Sequence, residues 1–134
     1  MKLKRILVLE DDLETVSVLL GKIASLENEL MKSDNKVEFP VTVLSEYTDV
    51  EQLINIQNPD KFDIILLDRD CKIAGSFHVL NIEKFGVGKV ISISSTPPYN
   101  EDAKQRGVAR VVHKDYSNLS LFADSVIEHI RELI

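Results

Sequence analysis

Residues 4–14 read KRILVLEDDLE. Ile6–Leu9 is a short unbroken apolar run, the pattern of a strand buried on both faces, and it leads straight into Glu10, Asp11 and Asp12. Beyond the acids, Leu13, Val16, Leu20, Ile23, Glu27 and Leu30 recur at helical spacing, and Val18, Leu19 and Leu26 widen the stripe. This predicts a long helix to about Lys32. A strand followed at once by a helix is the opening of a βα unit. Three acids at the tip of a core element repel one another and resist burial, so something must neutralise them.

The same alternation runs along the rest of the chain. VTVL (41–44) is strand-like, and Thr48 is placed to cap a helix carrying Val50, Leu53, Ile54 and Ile56. FDIILLD (62–68) is the strongest strand signal, and SFHVLNIEKFG predicts a short helix closed by Gly86. KVISIS (89–94) is a fourth strand, and PPYNEDAKQRG is a short helix with prolines at its start and glycine at its end. VARVV (108–112) is a fifth strand. LSLFADSVIEHIRELI is a final amphipathic helix with Leu119, Phe122, Val126, Ile130 and Leu133 on one face. Five βα units with short connections predict a parallel sheet covered by helices on both faces.

Composition limits the function classes. The chain has 134 residues and 44% hydrophobic residues, which suits one globular domain spanning 1–134. A net charge of −6 argues against nucleic acid or an anionic membrane as partner. The single cysteine, Cys71, excludes an internal disulfide and fits a reducing compartment. The apolar run behind Lys2–Arg5 is too short for a signal peptide or a membrane span. A cytoplasmic protein is expected.

In sheets of this kind, chemistry collects at the carboxyl ends of the strands. Strand one ends in Glu10–Asp11, strand three in Asp68, strand four in Ser94–Ser95 and strand five in His113–Lys114. If strands one, three and four are neighbours, carboxylates, a hydroxyl and an ammonium meet at one rim. A hard divalent cation would keep such carboxylates ionised, and Mg²⁺ held by one or two of them retains open positions that suit phosphate oxygens. Asp68 is placed to attack a phosphoryl donor, with Lys114 supplying positive charge and Ser94 a hydroxyl.

The ordered set ILVLEDD, FDIILLD, ISISS and VVHKD resembles the receiver domain of two-component response regulators over nearly the whole chain. The resemblance implies a flavodoxin-like three-layer (βα)₅ sandwich with strand order 2-1-3-4-5. It implies Asp68 as phosphoacceptor, Glu10 and Asp11 as Mg²⁺ ligands together with Asp68, and a backbone carbonyl from Asp70 on the metal. Ser94 matches the switch Thr/Ser, and Lys114 matches the lysine that contacts the phosphoryl group. Such a protein is a switch that catalyses only its own phosphorylation and dephosphorylation. Its donor is a sensor histidine kinase or a phosphotransfer protein, and the surface of helix four, strand five and helix five is where an output protein would bind. No output domain follows the last helix, so the chain is a stand-alone receiver or one cut from a longer protein.

The chain departs from that pattern at several places. Asp115 stands where receivers carry a cis-proline, so a trans peptide and a reshaped loop are expected. Val111 stands where many carry an aromatic switch residue. RDCKIAG lacks the usual proline, and short third and fourth helices are expected.

Other readings compete. Asp12 is assigned to capping the first helix, and capping of the helix begun by Pro97–Pro98 is an alternative role for Ser94 or Thr96. His113 is read as structural, and His78 and His129 lack partner ligands nearby in sequence. IILLDRD also resembles the DxD motif of haloacid dehalogenase-type phosphatases, with Asp68 as nucleophile and Asp70 as general acid/base. A receiver-shaped interaction module that works without phosphate is the third alternative.

Overall fold

A computed structural model describes residues 1–69 and 75–134 of the chain. The main sheet has five parallel strands, numbered in chain order: β1 (Ile6–Leu9), β2 (Val41–Leu44), β3 (Ile64–Leu67), β4 (Val90–Ser92) and β5 (Arg110–Val111). Their spatial order is β2-β1-β3-β4-β5, the flavodoxin-like order the resemblance implied. Ile6 pairs with both Val41 and Ile64, Ile65 with Val90, and Ile91 with Arg110. This register sets the tips of β1 and β3 side by side.

Each central strand is buried on both faces because helices cover both. Ile6, Val8, Ile64, Leu66 and Ile91 pack against Leu19, Ile23 and Leu26 of α1 (Leu13–Met31) and Phe122, Val126 and Ile130 of α5 (Leu119–Leu133). The alternate residues Leu7, Leu9, Ile65, Leu67 and Val90 face Val50, Phe77, Leu80, Ile82, Phe85 and Ala103 on the other side. The edge strand β2 departs from this rule, with Thr42 and Val43 exposed.

Asp12 caps α1, its Oδ2 accepting from the Thr15 N–H at 3.0 Å and the Thr15 hydroxyl at 2.6 Å. Asn118 caps α5 in the same way, through the N–H of Leu121 at 3.1 Å. A short parallel pair, Lys2–Leu3 with Val37–Glu38, extends the sheet below β1. The next residues, Phe39 and Pro40, interrupt the ladder. The Phe39 N–H turns to Glu27 Oε2 at 2.8 Å, and proline has no N–H to donate.

The second helix is not capped by Thr48 as expected. Helix α2 (Tyr47–Asp49) starts two residues earlier, after Glu46, and runs into a wider π turn over Val50–Ile54 closed by Asn55 N–H on the Val50 carbonyl at 2.9 Å. Val50 and Ile54, four apart, are both buried in the core. The predicted third helix is two pieces, a 3₁₀ turn at Phe77–Val79 and α3 (Ile82–Phe85). Leu80 is extended between them, and Asn81 caps α3 through the Lys84 N–H at 3.2 Å. The fourth helix, α4, spans Pro97–Gln105.

Helix α4 docks on the segment 78–83 through polar groups. Arg106 donates to the carbonyls of His78 and Leu80, each at 3.3 Å, and His78 Nδ1 lies 3.6 Å from Asp102. Burial, and next the charge of Arg106, hold the His78 pKa below the usual histidine value against the pull of Asp102. A depressed histidine contributes stability that is present above its unfolded pKa of about 6.5 and is lost as pH falls through the folded value. Urea unfolding should therefore show the native protein losing more stability between pH 7 and pH 5 than His78→Gln does. Parallel losses in the two proteins would contradict the assignment.

Candidate functional site

The sheet delivers the acids and the lysine to one rim. Backbone N–H groups just past the strands continue the ladders: Glu10 onto the Leu44 carbonyl at 3.3 Å, Asp68 onto Leu9 at 3.1 Å and Lys114 onto Ser94 at 3.0 Å. Carboxylate oxygens of Glu10, Asp11 and Asp68 lie within 4.8 Å of one another, and all three residues are buried.

Lys114 is the cation of this cluster. It is 2% exposed, donates to Glu10 Oε1, and lies 3.1 Å from Asp68 Oδ2. Its ammonium also sits 5.4 Å from the centre of the Tyr116 ring. The second oxygen of Glu10 accepts from the backbone N–H groups of Asp11 at 3.0 Å and Asp12 at 3.2 Å. Asp68 Oδ1 accepts from the N–H of Arg69 at 2.8 Å. The Asp11 carboxylate accepts no hydrogen bond among the described residues.

The charge balance decides the protonation of the site. Burial, and next the Asp68 carboxylate, push the Glu10 pKa up to about 8 against the pull of Lys114. Burial by itself favours a neutral amine at Lys114, but Glu10 and Asp68 outweigh it and hold its pKa above the ordinary lysine range. Both directions follow from one ammonium facing more than one buried carboxylate. The donor set fits a hard divalent cation: clustered carboxylate oxygens, with Asp11 accepting no hydrogen bond among the described residues.

Ser94 is buried at the end of β4, and its hydroxyl accepts from the N–H of Thr96 at 3.1 Å. Thr96 holds the cap position of α4, but its side chain makes no capping bond. Asn100 carries more of the connection here, and the sequence reading missed it. Its Oδ1 accepts from the Ser92 hydroxyl at 2.7 Å and the Ser94 N–H at 3.2 Å, and its Nδ2 donates to the Ser94 carbonyl at 3.2 Å. The signal was present: Asn100 and Ala103 are three apart and share the inward face of α4.

Asp115 forms an Asx turn, its Oδ1 accepting from the Ser117 N–H at 2.9 Å and hydroxyl at 2.6 Å. Hydrogen bonding from Ser117 holds its carboxyl below the usual range. The peptide bonds of the described residues are trans, as expected for this loop. His129 lies beside Arg110, with Nδ1 3.1 Å from its guanidinium. Asp70, expected to give a backbone carbonyl to the metal, and Cys71 lie outside the described residues.

Three solved structures that share this fold are response regulators or a receiver domain of one. The bacteriophytochrome response regulator AtBRR is 17% identical and superposes with a TM-score of 0.62, over 98% of this chain and 92% of its own. The Mn²⁺-bound form of response regulator Rcp1 is 14% identical, with a TM-score of 0.68 over 98% of this chain and 96% of its own. A response regulator receiver domain from Rhodospirillum rubrum is 13% identical, with a TM-score of 0.60 over 97% and 94%. The chain has the receiver-domain fold. No protein-family model and no curated protein matches the sequence. Among the described residues of this receiver fold, no helix is long and apolar enough to cross a membrane.

The balance within the cluster can be tested by a double substitution. Lys114→Met leaves Glu10 and Asp68 buried without a cation and should lower stability by about 3–5 kcal/mol at pH 8 in chelator, as breaking a buried pair does. Adding Glu10→Gln to that variant should recover about 1 kcal/mol or more. Urea unfolding reads both, and additive losses would show that the two side chains do not share one charge problem.

Proposed function

We propose that this receiver fold is a phosphoacceptor module of a two-component phosphorelay, with Asp68 as the residue modified. One observation carries the reading: the Lys114 ammonium bridges Glu10 and Asp68 while Asp11 stands beside them without a donor. A strand-end carboxylate held by a buried ammonium is positioned to attack phosphorus. The bond from phosphorus to the donor's leaving group breaks as the bond to Asp68 forms, and Lys114 balances charge on the phosphoryl oxygens.

Mg²⁺ is the cation proposed, with Asp11 as the main side-chain ligand, Asp68 beside it, Glu10 acting through water and Asp70 through its backbone carbonyl. Bound there, the ion would neutralise the carboxylates and the transferring group. The Mn²⁺ held by Rcp1 supports a divalent ion at such a fold. Ser94, held by Asn100, supplies the hydroxyl that contacts the phosphoryl group. The donor is a sensor histidine kinase or a phosphotransfer protein, and an output protein would read the surface of α4, β5 and α5. The protein acts in the cytoplasm as a switch rather than as a turnover enzyme.

Incubation with acetyl phosphate and Mg²⁺ should add one phosphoryl group, found on Asp68 by mass spectrometry after borohydride trapping. Asp68→Asn should abolish the label while keeping the fold, and Lys114→Met should slow labelling by at least about a hundredfold, as expected for a charge-stabilising group. Label on Asp70, or steady turnover of a phosphate ester, would favour the phosphatase-like chemistry instead. No Mg²⁺-dependent adduct at all would leave the phosphate-independent module.

A further inference from the structure

We propose that Arg69 is a further phosphoryl-contacting residue, held on Tyr99 in this structure and drawn to the phosphoryl group when Asp68 is modified. Its departure then loosens the first turn of α4. The inference rests on the receiver reading given above.

Charge counting motivates it. The cluster sets the carboxylates of Glu10, Asp11 and Asp68 against the ammonium of Lys114. A divalent cation would bring that sum to neutrality. The acyl phosphate, at about −1.5 to −2, takes the place of the −1 of the Asp68 carboxylate, so the site gains about −0.5 to −1, which no further cation of the cluster balances among the described residues. Arg69 follows Asp68 directly in the chain, and its N–H already donates to Asp68 Oδ1 at 2.8 Å. Its Cα is about 3.8 Å from that of Asp68, and its long stem can carry the guanidinium back to the modified carboxyl.

The guanidinium lies elsewhere in the structure. Its Cζ is 4.0 Å from the centre of the Tyr99 ring on α4. Both residues are partly exposed, so this contact is of the weaker kind. A forked, charge-assisted pair with phosphate oxygens is stronger, and guanidinium geometry suits it. A phosphoryl group on Asp68 therefore outcompetes the Tyr99 ring for the guanidinium.

Tyr99 adjoins Asn100, which bonds to Ser92 and Ser94. Among the described residues, the first turn of α4 is thus linked to the rim through Arg69 and through Ser94. A phosphoryl group on Asp68 acts on both. This gives a route from the site to α4 that needs no aromatic side chain at Val111.

Beryllofluoride with Mg²⁺, titrated into the full chain and its Arg69→Gln and Tyr99→Leu variants, tests the idea by ¹⁹F NMR. Arg69→Gln should weaken the adduct about fivefold or more, the worth of a charge-assisted contact. Tyr99→Leu should tighten it about twofold or more, because Arg69 no longer has to leave a ring. A loss of mere structural support would not tighten binding. In the native protein the Tyr99 ring protons should shift on adduct formation, and in Arg69→Gln they should stay in place. Adducts of equal affinity in all three proteins, or an unmoved Tyr99 ring in the native one, would overturn the role of Arg69 and leave the receiver reading standing. No bound ¹⁹F signal in the native protein would overturn the receiver reading, and the role of Arg69 with it.

Discussion

The buried ammonium of Lys114 is the constraint on which the rim depends. It joins Glu10 and Asp68, which lie 104 and 46 residues away in the chain, and so ties the ends of β1, β3 and β5. Sheet register fixes where it sits, because the Lys114 N–H extends the β4–β5 ladder onto Ser94. A one-residue slip of any of these strands would turn a carboxylate or the ammonium to the opposite face. The same hydrogen bonds that build the sheet therefore set the geometry of the charges.

One lysine cannot balance the cluster, and the three acids divide the work unequally. Glu10 spends both oxygens inside the protein, on Lys114 and on the N–H groups that open the loop to α1. Asp12 turns away to cap α1. Asp11 is left as the carboxylate with no donor among the described residues. The opening motif thus contains a brace, a candidate ligand and a helix cap in consecutive positions. The loop after β5 is shaped by similar local means, through the Asx turn of Asp115.

Much of this was legible in the sequence, for identifiable reasons. Central strands buried on both faces give unbroken apolar runs, so β1 and β3 were plain, and the cap of α1 and the apolar stripes of α1 and α5 marked the long helices. The segments that escaped depend on contacts far away in the chain. The Lys2–Leu3 and Val37–Glu38 pair is too short to show any period. The π turn at Val50–Ile54 answers to packing rather than to a capping residue, and Leu80 breaks the third helix where Asn81 offers a new cap. At the site, the strand-end residues were visible because strand ends were. The bonding partners of Asn100 and the Arg69–Tyr99 stack were not, because each pairs groups from different elements that only the folded sheet brings together.

The central claim is that the buried acids exceed their lysine and that a divalent cation makes up the difference, with Asp11 as its ligand. Unfolding free energy measured against Mg²⁺ concentration tests this most directly. Above the dissociation constant, preferential binding of one ion to the folded chain should raise stability by about 1.4 kcal/mol per tenfold increase in Mg²⁺. Asp11→Asn should move the onset of that rise to at least about tenfold higher Mg²⁺, and Asp12→Asn should leave the onset where it is once its capping loss is subtracted. A stability independent of Mg²⁺, or an equal displacement of the onset by both substitutions, would contradict the account.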